Sequence, residues 1–280
     1  MAIPLIQDLI LHSKALPVVR WLRFATLRRM KPLRNGAPTG TQVVRWYWAR
    51  FLERHRGDIR GRALEIGTTE TLKQFGGAAL ERAEALDLDR HSPEVAIVAD
   101  LSRADHVPGE QYDCFLNQFT MCSIYDVEAA MYHAIRLLKP GGVLLINFWS
   151  VDYYFYRGLD MGTGGVMYMH HWFTPIQVHD ILAKAGLGEK DYSLTTYGNL
   201  LTRFAFLMNM PTEELSRKEL EFQDPAHPLL IAVRVVRPEG WNPPRPTYRE
   251  PSWLPPGPAH RFDGAKGHQA DHYGSAMGRQ

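Results

Sequence analysis

The run Arg62-Ala63-Leu64-Glu65-Ile66-Gly67-Thr68-Thr69-Glu70-Thr71 begins the stretch that decides the fold, and that stretch ends at Ala99-Asp100. Its apolar segment, Ala63 to Ile66, has the composition of a buried strand and stops at a glycine. A second short run, Ala85-Leu86, ends in Asp87-Leu88-Asp89. A third, Val95 to Val98, ends in Ala99-Asp100-Leu101. Three short strands that each deliver a glycine or a carboxylate at the C-terminal end describe the ligand edge of an open α/β sheet. Gly67 lets a ligand approach the backbone. Asp87 and Asp100 offer acceptors for ribose hydroxyls or a base amine. Asp89 competes with Asp87, because strand ends read from sequence shift by a residue or two. Alone, each carboxylate reads as a helix cap or a surface charge; recurrence at three successive ends favours a site.

The pattern continues outward. Tyr112-Asp113-Cys114-Phe115-Leu116-Asn117 reads as a fourth strand. Val127 to Leu138 reads as an apolar-periodic helix, ended by Lys139-Pro140-Gly141-Gly142 before Val143-Leu144-Leu145. Thr71 to Glu84 reads as the helix after the first strand, interrupted by Gly76-Gly77 and so short or split. Thr174-Pro175-Ile176-Gln177 starts a helix with a capping box, and a further helix falls near Thr212 to Glu221. Together these motifs resemble the class I S-adenosylmethionine-dependent methyltransferases, over residues 61–237. The phrase Leu137-Leu138-Lys139-Pro140-Gly141-Gly142-Val143-Leu144-Leu145 is the most specific of them. Trp172-Phe173-Thr174-Pro175, Tyr197-Gly198-Asn199 and Asp224-Pro225 are similar to phrases of a type 11-like branch from bacterial natural-product and surface-glycan pathways.

The resemblance implies a Rossmann-like, seven-stranded, mostly parallel sheet with helices on both faces. It also implies S-adenosyl-L-methionine as methyl donor. Glu65, Gly67, Thr68 and Thr69 would meet its methionine part, Asp87 and Leu88 its ribose, and Asp100 and Leu101 its adenine. Asn117, Gln118 and Phe119 would border the sulfonium. A helix over Gln42 to Glu53 would cover the pocket, bringing Arg45 and Tyr47 towards it, with core packing the plainer role for Tyr47. One departure stands out. Thr69 and Thr71 occupy the later glycine positions of the family's E-x-G-x-G-x-G motif, so this loop would offer backbone N–H groups and threonine hydroxyls instead.

Methyl transfer to a hydroxyl needs a base. His170 and His171 follow a segment dense in aromatics and glycines, Asp152 to Gly165, which reads as a substrate lid or as a loop folded onto the core. Either histidine is a candidate base, His171 above all because Trp172-Phe173 anchors it; packing is the plainer role. The spacing of His170, His171 and His179 is no ligand pattern, so no metal is expected.

The 280 residues suit one domain with extensions: 1–40 as a helical extension and linker, 41–237 as the catalytic domain, 238–280 as an extended or disordered tail without apolar periodicity. On that composition the tail is expected to be dispensable for cofactor binding. The formal net charge of +2 carries no nucleic-acid footprint. Two cysteines, Cys114 and Cys122, argue against a disulfide framework and fit a reducing cytoplasm. No apolar run approaches the ~20 residues of a membrane span, and Asp8, His12 and Lys14 interrupt any signal-peptide core. Arg20, Arg23, Arg28, Arg29 and Lys31 among Trp21, Leu22, Phe24 and Leu27 read as a basic amphipathic helix. Such a helix lies on an anionic membrane, docks on a partner protein, or packs on its own domain.

The acceptor is expected to be a small molecule, methylated at oxygen: a sugar, a glycolipid precursor or a natural product. A non-catalytic partner that keeps the fold is the rival, because the glycines are missing. A nicotinamide oxidoreductase is disfavoured by the lack of G-x-G-x-x-G after the first strand.

Overall fold

The computed structural model describes residues 32–33, 40–151 and 170–249. The expected N-terminal helices, the aromatic and glycine-rich segment from Asp152 to Gly165, and the tail beyond 249 lie outside the described residues.

The order of elements is α1 (Val43–Arg54), β1 (Gly61–Ile66), α2 (Glu70–Gly76), β2 (Leu80–Asp87), β3 (Val95–Val98), β4 (Tyr112–Asn117), α3 (Val127–Leu137), β5 (Leu138–Trp149), α4 (Pro175–Lys184), β6 (Tyr192–Tyr197), α5 (Leu200–Leu207), α6 (Arg217–Glu221) and β7 (Leu230–Val236). The strands form one seven-stranded sheet in the order β3-β2-β1-β4-β5-β7-β6. β7 runs antiparallel to both of its neighbours and the other pairings are parallel. Six strands therefore end at one edge, with β1 and β4 at the centre. Their core is apolar on both faces: Leu64, Phe115, Leu144 and Val233 on one, and Cys114, Leu116, Leu145 and Ala232 on the other, are fully buried. Each such Leu, Phe or Val side chain contributes about 1.5–3 kcal/mol. α1 packs on β7 and α5, while α3 packs on β5 and α4.

Short polar residues fix the helix starts. Thr174 and Gln177 form the capping box expected of Thr174-Pro175-Ile176-Gln177. Asp126 caps α3 through Ala129 N–H at 3.0 Å. Asn199 caps α5, and its amide donates to the carbonyls of Glu219 and Phe222, both at 2.7 Å. Gly198, just before it, has φ +120°, and a Cβ there would come within 2.7 Å of Leu229.

The helix expected over Thr71 to Glu84, short or split at Gly76-Gly77, is the short one and stops at Gly76. Gly76-Gly77 is a poor helical pair, and Leu80 to Glu84 already pair with β1, Gly61 opposite Leu80 and Leu64 opposite Glu84. The helix expected over Thr212 to Glu221 is a 3-10 turn, Thr212–Glu214, followed by α6. Ser216 interrupts it by capping α6 with Glu219. The tail is extended, as composition suggests, yet residues 238–249 are anchored. Trp241 donates to the Ala185 carbonyl at 2.9 Å and packs on Tyr132, with ring centroids 5.2 Å apart. Arg245 pairs with Asp105 at 2.5 Å, the Arg103 guanidinium lies over the Tyr248 ring, and Arg249 N–H donates to Asp126 Oδ2 at 2.7 Å. Trp241 and the arginines anchor a segment whose lack of periodicity reflects one extended pass along α3.

Candidate active site

The candidate site lies along the edge where β1, β2, β3, β4 and β5 end. Glu65 pairs in register with Leu116, and Leu116 with Leu145. Side chains alternate along a strand, so Glu65, Gln118 and Asn147 share one face while Asn117 belongs to the other.

Glu65 is fully buried and is the hub of a polar relay. Leu72 N–H donates to its Oε2 at 3.0 Å. Gln118 Nε2 donates to its Oε1 at 2.8 Å and to Thr71 Oγ1 at 2.8 Å. Trp48 Nε1–H donates to Gln118 Oε1 at 2.7 Å. Burial pushes the Glu65 carboxyl up to about 8, against the opposing pull of Thr71 and Leu72. A buried acid of this kind is the natural counterpart of a cationic ligand group, which would restore its charge.

Gly67 takes φ +79°, the left-handed turn that ends β1. Of the loop hydroxyls, Thr68 Oγ1 accepts from Glu70 N–H at 3.2 Å. Thr69 is buried, and its hydroxyl donates to Glu94 Oε2 at 2.6 Å. This corrects the expectation that the Thr69 hydroxyl is offered to the methionine carboxylate: a carboxylate of this chain already holds it.

Asp87 is the last residue of β2. Its Oδ1 accepts from Leu88 N–H at 2.6 Å, and its Oδ2 lies 3.6 Å from His91 Nδ1. Burial raises its pKa, with the Leu88 N–H and His91 opposing. Asp89 lies beyond the strand, so the geometry favours Asp87 as the strand-end carboxylate. Asp100 Oδ1 accepts from Ser102 N–H at 2.9 Å and Ser102 Oγ at 2.6 Å, capping a 3-10 turn over Leu101–His106; Leu101 is buried beneath it.

At the end of β4, Asn117 is fully buried and its Oδ1 has no hydrogen-bond partner among the described residues. Phe119 takes φ +55°, uncommon outside glycine and typical of constrained sites. Asn147, on β5, holds that turn by accepting from Phe119 N–H at 2.8 Å, while its own buried Nδ2 has no partner. The Arg45 guanidinium lies 5.2 Å from the Phe119 ring centroid. Asn147 and Trp48 were missed in the sequence. Asn147 follows the apolar run of β5, where the register to β4 was the only signal. Trp48 stood one residue from Tyr47.

Tyr47 is corrected. It is fully buried, donates to the Leu220 carbonyl at 2.9 Å and stacks on Tyr197 at 5.6 Å. α1 reaches the relay through Trp48 instead, because one residue along a helix turns the side chain by about 100°.

His170 and His171 lie where β4 and β5 end. Both backbone N–H groups donate to the Cys122 carbonyl, at 2.8 and 3.2 Å, and Phe173 N–H donates to the Trp149 carbonyl at 2.8 Å. The His170 ring meets Tyr125 edge-on at 5.4 Å. His171 Nε2 lies 2.9 Å from the Tyr125 carbonyl. A carbonyl only accepts, so this nitrogen donates, and a neutral ring then carries its lone pair on Nδ1. His171 also borders a cleft of about 170 Å³ with Val127, Trp172, Phe173 and Ile181. Glu65, Asp87, Asp100 and Asn117 do not line that cleft.

Other groups are structural. Burial raises the Cys114 thiol and pushes Cys122 up to about 12, so neither is a ready nucleophile. His133 is buried in α3 and held down to about 4 by burial. Among the described residues no group of three His, Cys, Asp or Glu is placed to hold a metal ion, and no helix is long and apolar enough to cross a membrane.

Residues 66–146 match a family model described as a methyltransferase domain. The match covers β1 to β5, the part of the sheet whose ends carry the candidate site. The strand order, with an antiparallel β7 inserted between β5 and β6, completes the comparison. This is the Rossmann-like class I methyltransferase fold. No curated protein matches the chain. Among solved structures, a SAM-dependent methyltransferase of Thermotoga maritima is 19% identical, covering 69% of this chain and 96% of that one, with a TM-score of 0.41. The YcgJ protein of Bacillus subtilis is 11% identical, covering 70% and 100%, with a TM-score of 0.43. Phosphoethanolamine N-methyltransferase 2 of Haemonchus contortus, solved with S-adenosyl-L-methionine, is 15% identical, covering 72% and 54%, with a TM-score of 0.45.

Proposed function

We propose that this protein is an S-adenosylmethionine-dependent methyltransferase that acts on a small molecule at oxygen. The acceptor class is a sugar, a glycolipid precursor or a natural product, in keeping with the branch that the sequence resembles. One observation carries the reading: a buried acid, a strand-end carboxylate and an orphaned buried carbonyl, at Glu65, Asp87 and Asn117, stand along one sheet edge. A buried Oδ1 without a donor is costly, by about 1–3 kcal/mol, and its position at the end of β4 suits a group that borders a sulfonium. The residues therefore fit the donor.

When bound, the donor supplies an electrophilic methyl group. The chain supplies placement and proton handling. Asp87 accepts from ribose hydroxyls. Glu65, held by Leu72 N–H and the Gln118 amide, faces the cationic amino-acid end. Asn147 fixes Phe119 in its left-handed turn and so sets the floor between donor and acceptor. His171, oriented through the Tyr125 carbonyl, takes the acceptor's proton at Nδ1.

The rival reading, a partner protein that has lost the donor, is favoured by one observation: the Thr69 hydroxyl is engaged by Glu94. Calorimetry with S-adenosylhomocysteine separates the two. Binding by the wild type, weakened in Asp87→Ala by about 1.5–3 kcal/mol for lost bonds to a charged group, supports the enzyme. No binding by the wild type leaves the partner reading. Loss in Asp89→Ala instead would move the ribose site.

A further inference from the structure

We propose that His91 is a positioning residue of the donor site, tying the turn after β1 to the carboxylate of Asp87. The inference rests on the reading of this edge as a methyl-donor site. The imidazole bridges two turns. Its Nε2 lies 3.1 Å from the Gly67 carbonyl; its Nδ1 lies 3.2 Å from the Asp89 carbonyl and 3.6 Å from Asp87 Oδ2. All three neighbours are oxygen acceptors, so the ring bridges the turns as a double donor in its imidazolium form, and holds one turn when neutral. Three residues on, Glu94 repeats the bridge, accepting from the Thr69 hydroxyl and pairing with Lys73. The segment between β2 and β3 is thus joined twice to the loop where threonines replace the glycines of the family's motif.

The consequence for binding is preorganisation. A carboxylate that turns freely loses that freedom when it grips a diol, and the loss weakens binding. Asp87 is held on one oxygen by Leu88 N–H and steadied on the other by His91. The Gly67 carbonyl, held by the same ring, keeps the neighbouring loop in place. The His91 side chain is 42% exposed, so its removal takes little from the core.

The test is calorimetric titration of the full chain with S-adenosylhomocysteine, beside amide exchange of the ligand-free protein. His91→Ala is expected to weaken binding about three- to tenfold, the scale of one lost hydrogen bond to a carbonyl with a partly exposed ion pair, with an unchanged melting temperature. His91→Gln should recover part of the loss, because its amide still donates to one turn. In an Asp87→Asn background His91→Ala should cost much less, since its effect runs through that carboxylate. The amides of Leu88 and of residues 67–70 should exchange faster in His91→Ala. Wild-type affinity in His91→Ala, or a loss fully additive with Asp87→Asn, overturns the proposal. If the wild type binds no S-adenosylhomocysteine, the donor reading fails by itself and exchange decides the tie: faster exchange in both turns upholds it, unchanged exchange overturns it.

Discussion

Single residues carry the chemistry of this edge, and their environments make it testable. Glu65 is the sharpest case. Its carboxyl stands near 8 in the folded protein against an ordinary 4.5, because burial disfavours the charge. The folded state therefore keeps a proton that the unfolded chain releases. Stability should fall as pH rises from about 4.5 towards 8, and Glu65→Gln should flatten that slope in urea titrations run across the range. Binding a cationic ligand end should expel the proton. Near pH 7 the observed heat of S-adenosylhomocysteine binding should then vary with the ionisation enthalpy of the buffer, and Glu65→Gln should lose that variation. An unvarying heat in the wild type would mean that Glu65 is already ionised. His171 offers the second test. Its Nε2 is committed to the Tyr125 carbonyl, so proton transfer falls to Nδ1. With an acceptor in hand, His171→Ala should lower turnover ~10²–10⁴-fold while donor affinity holds. Near-normal turnover would reduce His171 to a wall of the cleft beside Phe173.

At the scale of elements, the phrases that resembled the family serve as joints. Asn199 shows this best: one side chain caps α5 through Thr202 N–H and ties α6 through two carbonyls. Asn199→Ala removes a cap worth ~1 kcal/mol and two part-buried hydrogen bonds to the Glu219 and Phe222 carbonyls, for a total loss of about 2 kcal/mol. Asn199→Asp keeps the cap and loses only the two donations, so denaturant midpoints should place it between wild type and Ala. Equal midpoints for all three would show that α6 is held by Tyr47 and Leu220 alone. The first strands were legible because short apolar runs end in Gly67, Asp87 and Asp100; the seven-stranded sheet followed from the resemblance, and the strand order came only with the pairings. α4 was legible from its capping box. The end of α2 was legible in part: Gly76-Gly77 marks the break, but the pairing of Leu80 to Glu84 with β1 is a tertiary ladder that local propensity does not show. Tyr47 and Trp48 were confused for a related reason, since neighbouring aromatics on a fully covered helix leave its facing undetermined. Asn147 was hidden because its role depends on a partner, Phe119 N–H, that only the register of β4 and β5 brings near.

Across the whole molecule, the segment after β7 joins distant parts of the sheet. It leaves the β7 end beside Arg237, crosses α3 and reaches the cap of that helix at Arg249. Trp241 fastens it to the carbonyl that ends α4, Arg245 to Asp105 in the 3-10 turn after β3, and Arg249 to Asp126. Asp126 thus receives two backbone N–H groups, one from its own helix and one from the strap. Its neighbour Tyr125 holds His171, so the strap ends one residue from the carbonyl that orients the candidate base. Truncation after Arg237 should therefore destabilise the domain, contrary to what the strap's composition suggests. For a domain of this size each 1 kcal/mol shifts the melting temperature by roughly 2–4 °C. Losing the Trp241 packing and its hydrogen bond should lower it by about 4 °C or more, and Trp241→Ala should account for most of the change. Truncation after Arg249 retains all of these contacts and should melt close to the full chain. Donor affinity should survive both truncations, because Glu65, Asp87 and Asn117 lie on β1, β2 and β4 and Asp100 is held by Ser102 without the strap. Turnover should fall only with the shorter chain, as the Asp126 and Tyr125 turn loses its outer support. If the chain truncated after Arg237 melted and turned over like the full protein, the strap would be a passenger, and the hold on His171 would rest on Cys122 and Tyr125 alone.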